Sequence, residues 1–153
     1  MNDFTELANE DFDAFIKNTT GDNPQRFQDN DLLVLQDGAE FNESIILLKT
    51  LRQKRLNAAH IGNIRGSLGG PLPSPDIIIP TLIFLRDVAI EISIGVLSAY
   101  IYAKLSGKKQ HKNVKSKIMI KKGDNLLIEK YDGPAEEYID ALKNVFRNFY
   151  AKE

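Results

Sequence analysis

The segment from Ile77 to Leu105, IIIPTLIFLRDVAIEISIGVLSAYIYAKL, is the most apolar stretch of this 153-residue chain and constrains its fold most strongly. A fold must either bury this segment or place it in a lipid bilayer. A membrane-spanning helix needs about 20 consecutive residues that are nearly uncharged. Arg86, Asp87 and Glu91 interrupt the segment and leave shorter uncharged pieces on either side. We therefore expect a water-soluble protein with no membrane span.

Most of this segment is predicted to be helical. Proline is tolerated at the start of a helix but not inside one, so Pro80 separates a short extended segment, 76–79, from a helix over Thr81–Leu105. Apolar residues recur at spacings of three and four, which is the period of one helical face. The predicted buried face comprises Leu82, Leu85, Ala89, Ile90, Ile92, Val96, Leu97, Ala99, Tyr100 and Ala103. The pattern favours a central helix packed on two sides, and an oligomer interface is the alternative.

Composition indicates one ordinary globular domain. The chain is 42% hydrophobic and 27% charged, and its length suits a single domain with a substantial core. It has no cysteine, which excludes disulfides, thiol catalysis and cysteine metal sites. The first 15 residues are acidic and lack the basic start and apolar centre of a secretion signal. We expect a cytoplasmic protein.

The net charge of −1 conceals a strong asymmetry along the chain. Residues 1–43 contain 11 acids and two bases, whereas residues 44–122 contain three acids and 14 bases. The C-terminal part, 123–153, is again mildly acidic, with seven acids and four bases. This polarity favours an acidic arm that folds onto a basic middle, or two faces that meet separate partners.

The N-terminal residues are predicted to form an acidic amphipathic helix. Asp3 and Glu6 have the spacing of a capping box, and the chain reaches a helix stop at Gly21. The predicted apolar face of this helix comprises Phe4, Leu7, Ala8, Phe12, Phe15 and Ile16. A polar linker with Pro24 follows. We therefore divide the chain into an N-terminal helix and linker, 1–30, and a single α+β domain, 31–153.

A strand and a second helix are predicted next. Leu32–Gln36 is a short apolar run before a turn at Asp37, which is typical of a buried strand. Asp37 and Glu40 repeat the capping spacing, and the apolar period continues to Leu56, so the helix should end near Asn57. Three bases lie in the last turns of this helix, where cations stabilise exposed carbonyl groups: Arg52, Lys54 and Arg55.

Residues 58–76, AAHIGNIRGSLGGPLPSPD, lack any period and are rich in glycine and proline. Connections this long are uncommon in compact domains and are usually functional or disordered. The candidate ligand- or anion-binding residues are His60, Asn63, Arg65 and Ser67. The spacings of a Walker loop and of a dinucleotide fingerprint are both missing. A plain connector, an anion- or peptide-binding loop and a catalytic loop are the three interpretations.

The segment from Lys104 to Lys122 carries eight lysines and no acid. Its basic-patch candidates are Lys108, Lys109, Lys112, Lys115, Lys117 and Lys121. From Val114 the apolar and polar residues alternate, which predicts a half-buried strand, and Leu126–Tyr131 is its predicted hairpin partner. A three-residue loop would set Ile118 opposite Lys130, and we favour it because a two-residue loop would set two lysines opposite each other.

A C-terminal helix completes the predicted fold. Asp132-Gly133-Pro134 ends the strand, proline takes the first helical position, and Glu136 and Glu137 lie at the positive end of the helix. Its apolar face comprises Tyr138, Ile139, Leu142, Val145, Phe146 and Phe149, and should pack on the hairpin. The predicted class is α+β: a small antiparallel or mixed sheet with a C-terminal hairpin, packed with about four helices.

Three functions are consistent with these features. A non-catalytic protein-interaction or regulatory domain is favoured, because two histidines and no cysteine leave few groups for catalysis, and we expect a protein partner or self-association. Non-specific nucleic-acid binding through residues 104–122 is the second, although lysines without arginine or aromatic residues support only salt-sensitive contacts. A small enzyme or ligand-binding domain using residues 58–76 is the third. We expect no cofactor and no metal.

Overall fold

The structure, a computed structural model, describes residues 3–7, 9–36, 41–61, 76–105 and 112–151. Within these ranges the chain forms four α-helices and a mixed sheet of eight strands, so the predicted α+β class is confirmed. The strands are β1 (Thr5–Glu6), β2 (Glu10–Asp11), β3 (Leu32–Leu35), β4 (Ala58–Ile61), β5 (Ile77–Ile78), β6 (Thr81–Phe84), β7 (Asn113–Lys122) and β8 (Asn125–Pro134). The helices are α1 (Phe12–Thr20), α2 (Phe41–Gln53), α3 (Val88–Leu105) and α4 (Ala135–Ala151), with a short 3-10 helix at Pro24–Phe27.

The strand order is β1-β8-β7-β6-β3-β4, with β2 also paired to β8 and β5 also paired to β7. Three strand pairs are parallel: β3 with β4, β5 with β7, and β6 with β7. The chain passes through helix α2 between the strands of the first pair and through helix α3 between those of the other two. Parallel strands require such a crossover, because a short turn cannot return the chain to the same end. The antiparallel pair β3 and β6 joins the two units.

Alternate side chains of the strands supply two separate cores. One core lies under α2, α3 and α4 and takes Leu32, Leu82 and Ile118 from the strands. The opposite face of the sheet packs against α1 and the 3-10 helix through Leu33, Ile83, Met119 and their neighbours. This division follows from the period of two in a strand, which points successive residues to opposite faces. The sheet is therefore covered by helices on both faces.

The predicted helix starting at Asp3 is wrong over its first half. Thr5–Glu6 and Glu10–Asp11 pair with β8 as short antiparallel strands, and helix α1 begins only at Phe12. The backbone of β8 would otherwise form an open sheet edge, and pairing there satisfies its polar groups. Asp11 is the N-cap, since its side chain accepts a hydrogen bond from the backbone N–H of Ala14 at 3.0 Å. The predicted stop is confirmed, because Gly21 has a left-handed conformation.

The predicted helix over Thr81–Leu105 is also wrong at its start. Thr81–Phe84 is the interior strand β6, all four residues are buried, and helix α3 begins at Val88. A short apolar run buried on both faces has no amphipathic alternation, so its period does not distinguish a strand from a helix. The extended segment before Pro80 is confirmed in part as β5, Ile77–Ile78.

The β7–β8 hairpin is confirmed, but its predicted register is wrong by one residue. Lys122 pairs with Asn125 across a two-residue turn, and Gly123 takes a φ of 61° that suits glycine. Lys117 therefore lies opposite Lys130. The observed register places Tyr131 on the core face, where it is fully buried, and a one-residue slip would move it to the other face. Burial of an aromatic side chain outweighs a repulsion of about 0.2–1 kcal/mol.

Helices α2 and α4 agree with their predictions apart from their ends. Helix α2 ends at Gln53 rather than near Asn57, and Arg55 adopts a positive φ of 69° just beyond it. The predicted caps Asp37 and Glu40 lie outside the described residues. Helix α4 begins at Ala135, so Pro134 is the last residue of β8 rather than the first of the helix. The predicted packing of α4 on the hairpin is confirmed by the hydrogen bond between the Ser116 and Tyr138 hydroxyls, 2.8 Å.

Candidate interaction site

The outward side of helix α3 is the most apolar exposed surface in the described part of the chain. We define the outer face of α3 as Val88, Ile92, Gly95, Ala99 and Tyr102. Val88 is 58% exposed and Tyr102 is 77% exposed, and Gly95 and Ala99 are exposed too, whereas Ile92 is half-buried and packs partly against the main core. The helix has a mean hydropathy of 1.5, yet only 33% of it is buried. An uncharged strip therefore runs along almost the whole length of the helix.

The inward side of α3 is equally apolar and forms part of the main core. Its buried residues are Ala89, Ile90, Ser93, Val96, Leu97 and Ile101. A helix that is apolar around its whole circumference is expected to be covered on more than one side. By length and composition alone α3 would also qualify as a membrane-spanning helix. Its inner face, however, packs with α2, α4 and the strands.

The two helices that pack against α3, α2 and α4, both expose charged residues. Helix α2 packs against one side of α3 and exposes Lys49 and Arg52, and helix α4 packs against it as well. The exposed positions of α4 are Glu136, Asp140, Lys143, Arg147 and Asn148. The helices beside α3 thus expose polar surface, as is common around protein-interaction sites.

A polar cluster attaches the C-terminal end of α3 to α2. Glu43 accepts hydrogen bonds from the Tyr100 hydroxyl and from the Lys104 ammonium, the latter at 2.6 Å. Lys104 also lies 5.4 Å from the centre of the Tyr100 ring. Burial acts to raise the pKa of Glu43, but the hydrogen bonds from Lys104 and Tyr100 together with the Lys104 charge lower it below its ordinary value. This cluster fixes the orientation in which α3 presents its outer face.

The candidate residues of the Gly/Pro segment are only partly placed. His60 lies in β4 beside the parallel strand β3, where it pairs with Val34, and its side chain is half-buried. Burial lowers the pKa of His60, which favours the neutral imidazole. Asn63, Arg65 and Ser67 lie outside the described residues, so the predicted grouping with His60 stays a prediction.

Three of the described basic-patch candidates, Lys115, Lys117 and Lys121, lie on one face of β7. Lys108 and Lys109 lie outside the described residues, and Lys112 directly precedes β7. Lys115 forms an ion pair with Asp76 at 3.6 Å, and Lys121 lies 5.2 Å from the centre of the Phe12 ring. Lys115 and Lys121 therefore each contact another residue of the same chain.

A groove of about 510 Å³ lies between β1, β8 and α4. Three carboxylates line it, Asp3, Glu6 and Glu129, and Glu6 and Glu129 are directly opposite each other in the sheet. In the described ranges no three His, Cys, Asp or Glu side chains come together closely enough to hold a metal ion. The apolar part of its lining includes Phe4 and Phe149, and Glu129 is a buried carboxylate.

The outer face of α3 was not predicted from the sequence. Ala99 and Ala103 were expected on the buried side, but both are exposed, whereas Ser93 and Ile101 are buried and were not expected there. A second series at alternating spacings of four and three, Val88, Ile92, Gly95, Ala99 and Tyr102, was available in the sequence. This second period was the signal of a second packing surface.

Comparison with known proteins identifies no family for this chain. No protein-family profile, no curated protein and no solved structure matches the chain.

Proposed function

We propose that this protein is a non-catalytic protein-interaction domain that docks a partner on the outer face of α3. The carrying observation is that α3, whose mean hydropathy is 1.5, leaves two large apolar side chains in water, Val88 at 58% and Tyr102 at 77% exposure. Leaving apolar surface in water forgoes about 25 cal/mol per Å² of burial, which a bound partner would recover. Gly95 and Ala99 have small side chains, which would allow a partner backbone to approach α3 closely.

Site-specific photo-crosslinking in cells that make the protein tests this proposal. The photoreactive residue p-benzoylphenylalanine replaces Tyr102 in one variant and Lys143, an exposed residue of α4, in a matched control. We expect discrete protein adducts from position 102, and no such adducts from position 143. Addition of Ala99→Glu to the same chain should remove the adducts from position 102. A position 102 variant that gives no adduct, or adducts that Ala99→Glu leaves unchanged, would contradict the proposal.

Nucleic-acid binding through the lysines of β7 is the second candidate, and one observation favours it. Lys117 lies directly opposite Lys130, and two like charges held together attract an anion. Titration of labelled single- and double-stranded oligonucleotides at about 50 mM salt tests it. A salt-sensitive complex that Lys130→Gln weakens would support this function, and an unshifted oligonucleotide would remove it. The use of the Gly/Pro segment by a small ligand or substrate stays a prediction from the sequence.

A further inference from the structure

The outer face of α3 has the spacing of a helix-to-helix contact. Its five residues follow each other at intervals of four, three, four and three. This is the alternation with which one helix packs along another, because it keeps successive residues on a single seam. All five are uncharged, and Val88 and Tyr102, near its two ends, are the most exposed large apolar residues of α3. The outer face of α3, which we also call the seam, therefore fits a second apolar helix better than it fits an extended peptide.

We infer that the partner on this face is a second copy of the chain, whose α3 packs antiparallel to the first. This inference rests on the proposed function of the same face. The seam is self-complementary in size when one helix is reversed about a point between Gly95 and Ala99. Gly95 then meets Ala99 of the other copy, and Ile92 meets Tyr102. A Cβ atom at Gly95 would have no atom within 4 Å, so this position is open to a close approach.

Charge along α3 also favours the antiparallel arrangement. Asp87, just before the helix, and Glu91, in its first turn, are exposed, whereas Lys104 at the C-terminal end is already paired with Glu43 of the same chain. An antiparallel pair keeps the acids of the two copies apart, since Glu91 of one copy then lies about 18 Å along the helices from Glu91 of the other. A parallel pair would instead bring Glu91 next to Glu91 of the second copy, and would align the two helix dipoles unfavourably. Self-complementarity of this kind is what a two-fold interface requires.

The size of the surface sets the expected strength. An 18-residue helix is about 27 Å long. One helix face offers less than the roughly 800 Å² per partner of a standard interface. Ile46 of α2, which is 52% exposed on a helix packed against α3, would extend the contact. We expect a weak dimer that dissociates on dilution, with a dissociation constant on the order of micromolar.

Sedimentation velocity of the purified full chain over about 1 to 300 µM tests the inference. The wild type should shift from monomer to dimer as its concentration rises, and Lys143→Glu on α4 should behave like the wild type. Ala99→Glu should weaken association at least about tenfold, since it buries a charge at the centre of the seam. Tyr102→Lys is a second variant at an exposed position, and circular dichroism confirms that both variants remain folded.

Single cysteines test the orientation, because the chain has none of its own. Ser98→Cys lies near the centre of the seam and Glu91→Cys near one end, and both positions are exposed. A short bismaleimide should link two Ser98→Cys chains. It should not link two Glu91→Cys chains, which an antiparallel pair separates by about 18 Å along the helices. Linking of both variants would show a parallel pair and overturn the proposed arrangement.

A wild-type chain that stays monomeric over the whole concentration range would overturn the second copy as the partner. The crosslinking at position 102 would then test the proposed function independently of the dimer. Adducts with a different protein would support the outer face of α3 as a docking site and would show that its partner is that protein. Flotation of the monomer with phospholipid vesicles, weakened by Ala99→Glu, would place lipid on the face and remove both proposals.

Discussion

Helices α3 and α4 have nearly the same length, 18 and 17 residues, and pack on the same side of the sheet, yet their outward surfaces differ in kind. Helix α4 buries one apolar stripe and exposes Glu136, Asp140, Lys143 and Arg147 to solvent. Helix α3 buries a similar stripe but exposes an uncharged second one. The inward stripes explain the fold of both helices. Of these two helices, only α3 has large apolar side chains that are exposed among the described residues, Val88 and Tyr102.

The two helices also differ in the polar groups that they bury. The Tyr138 hydroxyl of α4 is hydrogen-bonded to Ser116 of β7 at 2.8 Å. The Ser93 hydroxyl of α3 is buried and has no hydrogen-bond partner among the described residues. Burial raises the pKa of Tyr138 well above its ordinary value, although the hydrogen bond with Ser116 acts in the opposite direction. Both helices thus combine packing with polar contacts, but α4 makes its contact with the sheet, whereas α3 makes its contacts with Glu43 of α2.

The largest expected effects come from the inner faces, where the two helices should be alike. Leu97 of α3 and Leu142 of α4 are both fully buried. Leu97→Ala and Leu142→Ala should each lower the free energy of unfolding by about 2–5 kcal/mol, because each leaves a cavity in the core. Urea denaturation measures the loss, with Tyr102→Ala at low protein concentration as the exposed control. A loss below about 1 kcal/mol at Leu97 would contradict the packing of α3 on the sheet.

A pair of hydroxyl deletions should give opposite signs in the two helices. Tyr138→Phe leaves the Ser116 hydroxyl buried without its partner and should cost about 1–2 kcal/mol. Ser93→Ala removes a hydroxyl that has no partner in the described part of the chain, and should be neutral or stabilise the fold by about 1 kcal/mol. Thermal or urea unfolding of the two variants measures both changes. A destabilising Ser93→Ala would show that this hydroxyl makes a contact important for stability.

The sequence was informative wherever one period dominated. Helix α4 was predicted because it has one buried face and one wet face, and β7 was predicted because its first residues alternate in the same way, although both of its faces are buried at Ile118–Ile120. Strand β6 was mistaken for helix because it is buried on both faces and shows no alternation. The hairpin register was missed because a local charge repulsion was given more weight than the burial of Tyr131 on the core face.

The candidate interaction site was harder to predict because its residues are ordinary core residues. Val88, Ile92 and Ala99 have the chemistry of a buried helix, and only the sheet and its neighbouring helices determine which side they face. The N-terminal strands were missed for a similar reason. Their pairing depends on the free edge of β8, which is more than 110 residues away in sequence and leaves no local pattern in Thr5–Glu6.

The smallest expected effect concerns the polar cluster of Glu43, Tyr100 and Lys104, which attaches α3 to α2. Glu43→Gln removes the charge that binds Lys104 and should cost about 0.5–1 kcal/mol at neutral pH, since the pair is partly exposed. The pKa of Glu43 is lowered in the folded chain, so its stabilisation is present above its ordinary pKa and is lost as the pH falls through the folded pKa. The difference in stability between the wild type and Glu43→Gln should therefore be smaller at acid pH than at neutral pH in urea unfolding. Asp140→Asn, at an exposed carboxylate of α4, is the matched control. A Glu43→Gln variant that stays less stable than the wild type by the same amount at both pH values would show that the carboxylate charge is not what attaches α3 to α2.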